Sequence, residues 1–177
     1  IATEIKNELE SFLKFHLKQE LHPDKTKITN LRAGKVSFLG YYIVLPRVKY
    51  KKNDLILRFQ MLFDQVIKRM KERGYITYDK NNKVRPISKA SYTQLEDALI
   101  VNHFRKVWLG LKNFYSGSSN RSHLQYIHYL MHISCAMTLA HRHRSSVKKI
   151  MKKHGKGLEI IDKTVSPPKR ITAFSYR

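Results

Sequence analysis

The sequence predicts a mainly α-helical protein with one short β-hairpin, and three observations predict it. Apolar residues recur at helical spacing over most of the chain. Alternation of apolar and polar residues is confined to short stretches before residue 46. Hydrophobic residues make up 42% and aromatic residues 11% of the 177, enough to bury a core, and no internal repeat or low-complexity tract interrupts them. By length the chain holds one domain or two small ones.

The first helix is amphipathic, with Ile5, Leu9, Phe12, Leu13 and Leu17 on one face and Lys6, Glu8, Glu10 and Lys14 on the other. His22-Pro23-Asp24 is expected to break it, because proline lacks a backbone donor and disfavours helix in the residue before it. Residues 27–29 and 36–45 follow as the arms of the hairpin. A turn at Ala33-Gly34 separates them and Phe38-Leu39-Gly40-Tyr41 lies in the second arm. From Leu57 the period is 3.6: Phe59, Leu62, Phe63, Val66, Ile67 and Met70 form one stripe, and Gly74 is placed to cap its C-terminus. Residues 78–86 read as a polar, basic loop.

The next helix carries Leu95, Leu99, Ile100, Phe104, Val107, Trp108, Leu111, Phe114 and Tyr115 at core spacing. Ser116-Gly117-Ser118-Ser119-Asn120 then makes a turn. Residues 122–143 form a helix apolar on most sides, expected at the centre of its bundle. A basic helix at 147–154 runs into Gly155 and Gly157, and the tail with Pro167-Pro168 is expected to be extended or loose. The most apolar run, 124–140, is interrupted by His128, His132, Ser134 and Thr138 and is too short for a membrane span.

Common catalytic constellations are missing. Gly155-Lys156-Gly157 lacks the spacing and the hydroxyl of a phosphate-binding loop, and there is no Gly-x-Ser-x-Gly elbow. His128 and His132 stand at i and i+4, but Tyr129-Leu130-Met131 between them supplies no general base and no third ligand is evident, so no metal and no cofactor is expected. The single cysteine, Cys135, allows neither a disulfide nor a Cys-based zinc site. The aspartates are scattered, and Glu96-Asp97 reads as acid at a helix N-terminus.

Charge is the strongest signal. Lys and Arg number 35 against 13 Asp and Glu, a net +22, which calls for a polyanion, most commonly nucleic acid. The bases cluster at Lys25, Lys27, Arg32 and Lys35; at Lys68, Arg69, Lys71 and Arg73; at Arg142 and Arg144; and at Lys148, Lys149, Lys152, Lys153 and Lys156. Acids are nearly absent between Asp97 and Glu159, which leaves these groups without local counter-ions. Tyr115, Tyr126, His141 and His143 lie among them, a mixture suited to unpaired bases of folded RNA.

Two runs carry a closer likeness. Leu109-Gly110-Leu111-Lys112-Asn113-Phe114-Tyr115-Ser116 resembles Arg-Gly-x-x-Asn-Tyr-Tyr-Ser, with Leu109 and Phe114 departing from it. Ser134-Cys135-Ala136-Met137-Thr138-Leu139-Ala140, then Arg142, Arg144 and Ser145, resembles Ser-Cys-Ala-x-Thr-Leu-Ala followed by bases and serine. Both runs belong to the maturase domain, or domain X, of group II intron maturases, which residues 97–146 resemble. Upstream, Pro23-Asp24-Lys25-Thr26-Lys27 and Val36-Ser37-Phe38-Leu39-Gly40-Tyr41 resemble the end of the reverse-transcriptase palm of that family. Asp64 to Tyr75 would be its first thumb helix.

The resemblance implies an order: palm end at 1–50, start of the thumb at 51–90, the thumb and domain X bundle at 91–160, and the tail at 161–177. The fold would be mainly α, a β-hairpin from the palm followed by a helical thumb and a helical maturase domain. The fingers and the catalytic palm would precede Ile1, so no polymerase activity is expected of this chain. It would bind folded group II intron RNA and assist splicing. Two alternatives stay open: a structural subunit of an organellar ribosome or other ribonucleoprotein, and the C-terminal part of an active RNA-directed DNA polymerase whose catalytic half is a separate chain.

The expected RNA-contacting set is Lys25, Lys27, Lys35, Lys68, Arg69, Lys71, Arg73, Lys112, Asn113, Tyr115, Arg121, His141, Arg142, His143, Arg144, Lys148, Lys149, Lys152 and Lys153. Phe38, Leu39, Gly40 and Tyr41 would resemble a primer grip. The partners implied are intron or ribosomal RNA, a separate polymerase half or ribonucleoprotein proteins, and no membrane. Family habit and a composition rich in Lys, Ile, Asn and Tyr favour the mitochondrion over a plastid or the bacterial cytoplasm.

Overall fold

A computed structural model of the chain describes residues 1–45, 56–162 and 165–174, which fall into two compact units, Ile1–Arg58 and Phe59–Arg177. The expected boundary at residues 50 and 51 lies outside the described residues. The chain is mainly α-helical, with short antiparallel strand pairs.

In the first unit α1 (Ala2–Phe12) widens into one π turn, Leu13–Leu17. It stops at Lys18, which turns left-handed at φ 53° while the Gln19 amide closes on the Leu13 carbonyl at 3.1 Å. Pro23 is therefore not the terminator. None of the described residues of this unit is buried. Strands β1 (Val36–Phe38) and β2 (Tyr41–Val44) pair antiparallel, Phe38 opposite Tyr41. This corrects the hairpin expectation: residues 27–29 form no strand, and Leu39-Gly40 is the turn. Both turn residues have positive φ, 45° and 84°, the two-residue geometry that matches the right-handed twist of paired strands. Glycine adopts it freely; Leu39 does so against its own Cβ.

The second unit opens from β3 (Arg58–Met61) into α2 (Phe63–Glu72). Phe59 thus belongs to a strand, not to the helical stripe. The serine-rich turn sixty residues on bonds this strand. Ser119 donates its amide to the Phe59 carbonyl at 2.7 Å, and the Met61 amide is shared by Ser118 Oγ at 3.1 Å and Asn120 Oδ1 at 2.9 Å. Helix α2 ends as expected on Gly74. Its amide and that of Tyr75 bond the carbonyls of Lys71 and Met70 at 2.9 and 3.0 Å, with Gly74 at φ 74°.

Residues 78–86, expected as a loop, close a second hairpin of β4 (Ile76–Tyr78) and β5 (Val84–Pro86). Asp79 makes the turn: its Oδ1 accepts the amides of Asn81 and Lys83, each at 2.9 Å. Helix α3 (Asp97–Phe114) buries Ala98, Ile100, Val101, Phe104 and Trp108, while Leu99 and Phe114, expected in the core, face outward at 44% and 55% exposure. Helix α4 (Arg121–Arg142) is the central element, packed on α3 and on α5 (Val147–His154). Burial of its Ile127, Leu130, Met131, Cys135 and Leu139 supplies the main apolar driving force, about 1.5–3 kcal/mol for each large side chain.

The tail is not loose. Strands β6 (Glu159–Asp162) and β7 (Lys169–Thr172) pair antiparallel and pack on α3, and Ala173 and Phe174 are buried. The Phe174 ring stands edge-on to both His128 and His132, 5.2 Å between centroids in each case. The i, i+4 histidines are thus a docking surface for the tail. Among the described residues, no three His, Cys, Asp or Glu side chains gather as a metal site, and no helix is long and apolar enough to cross a membrane.

Burial holds both imidazoles below the ordinary histidine value, and the neighbouring His132 and Lys112 add to the effect at His128. The unfolded chain therefore takes up protons that the folded one resists. Stability is fully present above about pH 6.5 and declines as the pH falls below it. We expect thermal melts to show a lower midpoint at pH 5.5 than at pH 7.5, with a shallower dependence in His128→Phe; an unchanged dependence in that variant would exclude His128 as its source.

Candidate nucleic-acid interface

Segment 87–97 is stitched to the second half of α4, and the stitches explain the residue types found there. Ser134 Oγ donates to the Ile87 carbonyl at 2.6 Å, and the Lys89 amide donates to Thr138 Oγ1 at 2.9 Å. Small polar side chains let an extended backbone approach the helix and satisfy groups that would otherwise be buried unpaired. The Ser-Cys-Ala-Met-Thr-Leu-Ala run is thus a packing seam. Lys89 adds to it: its ammonium lies 4.5 and 4.7 Å from the ring centroids of Tyr75 and Tyr92 and donates to the Arg73 carbonyl, and burial lowers its pKa.

The seam continues to the end of α4. His141 Nδ1 lies 3.1 Å from Ser88 Oγ. Arg142 donates to the Thr93 carbonyl at 3.2 Å, with Nε 2.9 Å from Asp97 Oδ1. His143 Nε2 is 2.7 Å from Asp97 Oδ2. Asp97 is therefore more than an acid at the α3 N-terminus. It is a local counter-ion for Arg142 and His143, which corrects the expectation that these bases have none. Changing Arg142 would disturb folding as well as charge.

Arg144 is differently placed. Its amide and that of Ser145 bond the carbonyls of His141 and Ala140 at 3.1 and 2.8 Å, with Arg144 at φ 47°. This is the closure that Gly74 gives α2, here with an exposed arginine in the left-handed position. Helix α5 follows at once, capped by Ser146 Oγ, which accepts the Lys149 amide at 3.3 Å, and anchored by the buried Ile150. Lys148, Lys149, Lys152 and Lys153 are all exposed. The first turn of α5 holds no acid, so Lys148 and Lys149 sit against the positive end of their own helix dipole.

A second basic surface follows α2, where Lys68, Arg69, Lys71 and Arg73 are exposed. Lys71 Nζ stands 4.8 Å from the Tyr78 ring. Arg69 and Arg73 border a groove of about 420 Å³ between α2 and α3, whose other wall carries Lys106 and the exposed Phe114. Asn113 and Arg121 are exposed, whereas Tyr115 is only 5% exposed, its ring packed edge-on to Phe114 at 4.9 Å. In the first unit Lys25 and Lys27 are exposed and Lys35 Nζ lies 4.0 Å over Tyr42. Phe38 and Leu39 project at the hairpin turn, with Gly40 and Tyr41 half-buried.

Lys112, half-buried, faces away from the α2 groove into a cleft between α3 and β7 that the sequence did not reveal. Arg105, Lys169 and Arg170 border it too. Arg105 and Lys112 are seven apart on one helix face, a legible signal; their partners on β7 were hidden by the expectation of a loose tail.

Comparison with known proteins shows the family. The family model described as type II intron maturase matches residues 55–176. The chain belongs to the type II intron maturase family. Relatives described as Maturase K agree. The protein from Chaetosphaeridium globosum is 31% identical over 163 residues, covering 85% of this chain and 31% of its own length; that from Pinus cembra is 32% identical over 176 residues, covering 92% and 32%. The chain thus spans about a third of the length of the curated relatives it matches. Every element from α2 to β7 lies inside the maturase match, including both basic surfaces, and the β1–β2 hairpin lies before it.

Proposed function

We propose that this maturase chain binds folded group II intron RNA through Arg144, α5 and the exposed face of α2 and so assists splicing, while the RNA itself performs the reaction. The observation that carries this reading is α5. One side is fixed to the bundle by Ile150, and the exposed side presents four lysines in eight residues, two of them at the end of the helix where cations are least favourable. Lys153 shares a pocket with Glu96, Asp97, Glu159 and Asp162; phosphates crowded together in a compact RNA supply counter-charge to the others. The scattered carboxylates of the sequence support assistance without polymerisation. The Maturase K relatives support a plastid as the compartment, in place of the mitochondrion expected from composition.

Arg144 separates the two roles of this region. Glycine is the unstrained residue at its left-handed position, so Arg144→Gly should stabilise the fold by about 0.5–1 kcal/mol. It should also weaken binding to intron RNA and make the salt dependence shallower by about one phosphate contact. A thermal melt and a salt titration of RNA affinity check both. Weaker binding together with a lower melting temperature would mean that Arg144 serves the fold; unchanged binding would remove it from the interface.

A further inference from the structure

We propose that the cleft between α3 and β7 receives a single unpaired nucleotide extruded from the bound RNA. This inference rests on the RNA-binding reading above and deepens it. The cleft has a volume of about 390 Å³, the size of a small-ligand site and too narrow for a duplex. Four cations border it, Arg105 and Lys112 from α3 and Lys169 and Arg170 from β7, and no carboxylate is among its described lining residues. Arg170 reaches Glu159 outside the cleft only at 3.7 Å, with both side chains largely exposed, so that pair leaves most of the positive potential in place.

The rest of the lining suits a base. Leu109 provides an apolar wall backed by the buried Trp108, whose indole packs against His128, 4.7 Å away between centroids. Leu109 stands where the run it resembles has arginine, so this chain puts an apolar surface between the flanking cations. Asn102 lies in the same lining and offers a paired donor and acceptor to a base edge. Phosphate on the rim and base against the wall is the division of labour by which single-stranded nucleotides are held.

The test uses the whole chain and two RNA hairpins that differ only in one bulged uridine. A 4-thiouridine at that position serves for photocrosslinking. The bulged hairpin is expected to bind about tenfold more tightly, the scale of one base contact, and to crosslink to α3 or β7. Arg105→Gln with Lys169→Gln removes cations from exposed positions, and Leu109→Trp fills the cleft. Each should abolish the preference while leaving the perfect hairpin bound as before, with circular dichroism confirming the fold; if one variant fails to fold, the other decides.

Equal affinity for the two hairpins, a preference that survives either folded variant, or crosslinks confined to α2 or α5 would overturn the inference while leaving the RNA-binding reading intact. Binding of neither hairpin nor intron RNA at about 0.1 M salt would overturn both. Loss of the crosslink, but not of the affinity difference, on saturation with free uridine monophosphate would also overturn it, since the preference would then arise elsewhere.

Discussion

Replacing Lys148, Lys149, Lys152 and Lys153 together by glutamine is expected to lower affinity for folded intron RNA by about a hundred- to a thousandfold near 0.1 M salt, because each lost phosphate contact forfeits about one released counter-ion. The plot of log affinity against log salt becomes shallower by about three. These side chains are exposed and α5 keeps both its Ser146 cap and the buried Ile150, so helicity should hold. Like charges at i and i+4 repel by a few tenths of a kcal/mol per pair, and their removal offsets what is lost near the helix C-terminus. Filter binding across a salt series, alongside a thermal melt, measures all of this. A slope that does not move would place the RNA on the α2 surface instead.

The largest effect on stability should come from Phe174→Ala. The ring is fully buried against His128 and His132 at the far end of the tail, and truncating a buried phenylalanine costs about 3–5 kcal/mol. For a unit of this size the melting temperature should fall by about 10 °C or more. Phe174→Leu should recover most of that loss. Amide exchange should show β6 and β7 opening first in the alanine variant, since both lean on this anchor. A shift under about 3 °C would mean that the hairpin docks without Phe174.

The long helices were legible because period 3.6 and the glycine and serine punctuation agree. Residues 147–154 and Gly74 fall where the pattern puts them, and α4 begins one residue early and ends one early. Hairpins were not, because their turns depend on particular side chains. Asp79 closes β4 on β5 by accepting two amides, and a run of lysines and asparagines around it reads as a loop. The tail, expected to be extended or loose, is extended in β7; its docking was hidden because Pro167-Pro168 signals a break, and only the buried Phe174 shows what lies beyond it. The charge clusters read along the chain fall on the exposed faces of α5 and α2, the surfaces proposed to meet RNA. Counting charges along the chain could not show that Asp97 meets Arg142 and His143 across forty-five residues of sequence, or that β7 brings Lys169 and Arg170 beside Arg105.

The stitched end of α4 also has a mechanical meaning. The helix has 22 residues, about 33 Å of rigid rod, and α5 with its lysines is packed against it. On the proposed reading, a pull by RNA bound at α5 would pass into this rod, which Ser134, Thr138, His141 and Arg142 bond to segment 87–93. Slippage by even one residue would strand the Lys89 amide and the Ile87 carbonyl without these partners, so the bonds fix the axial register of the rod.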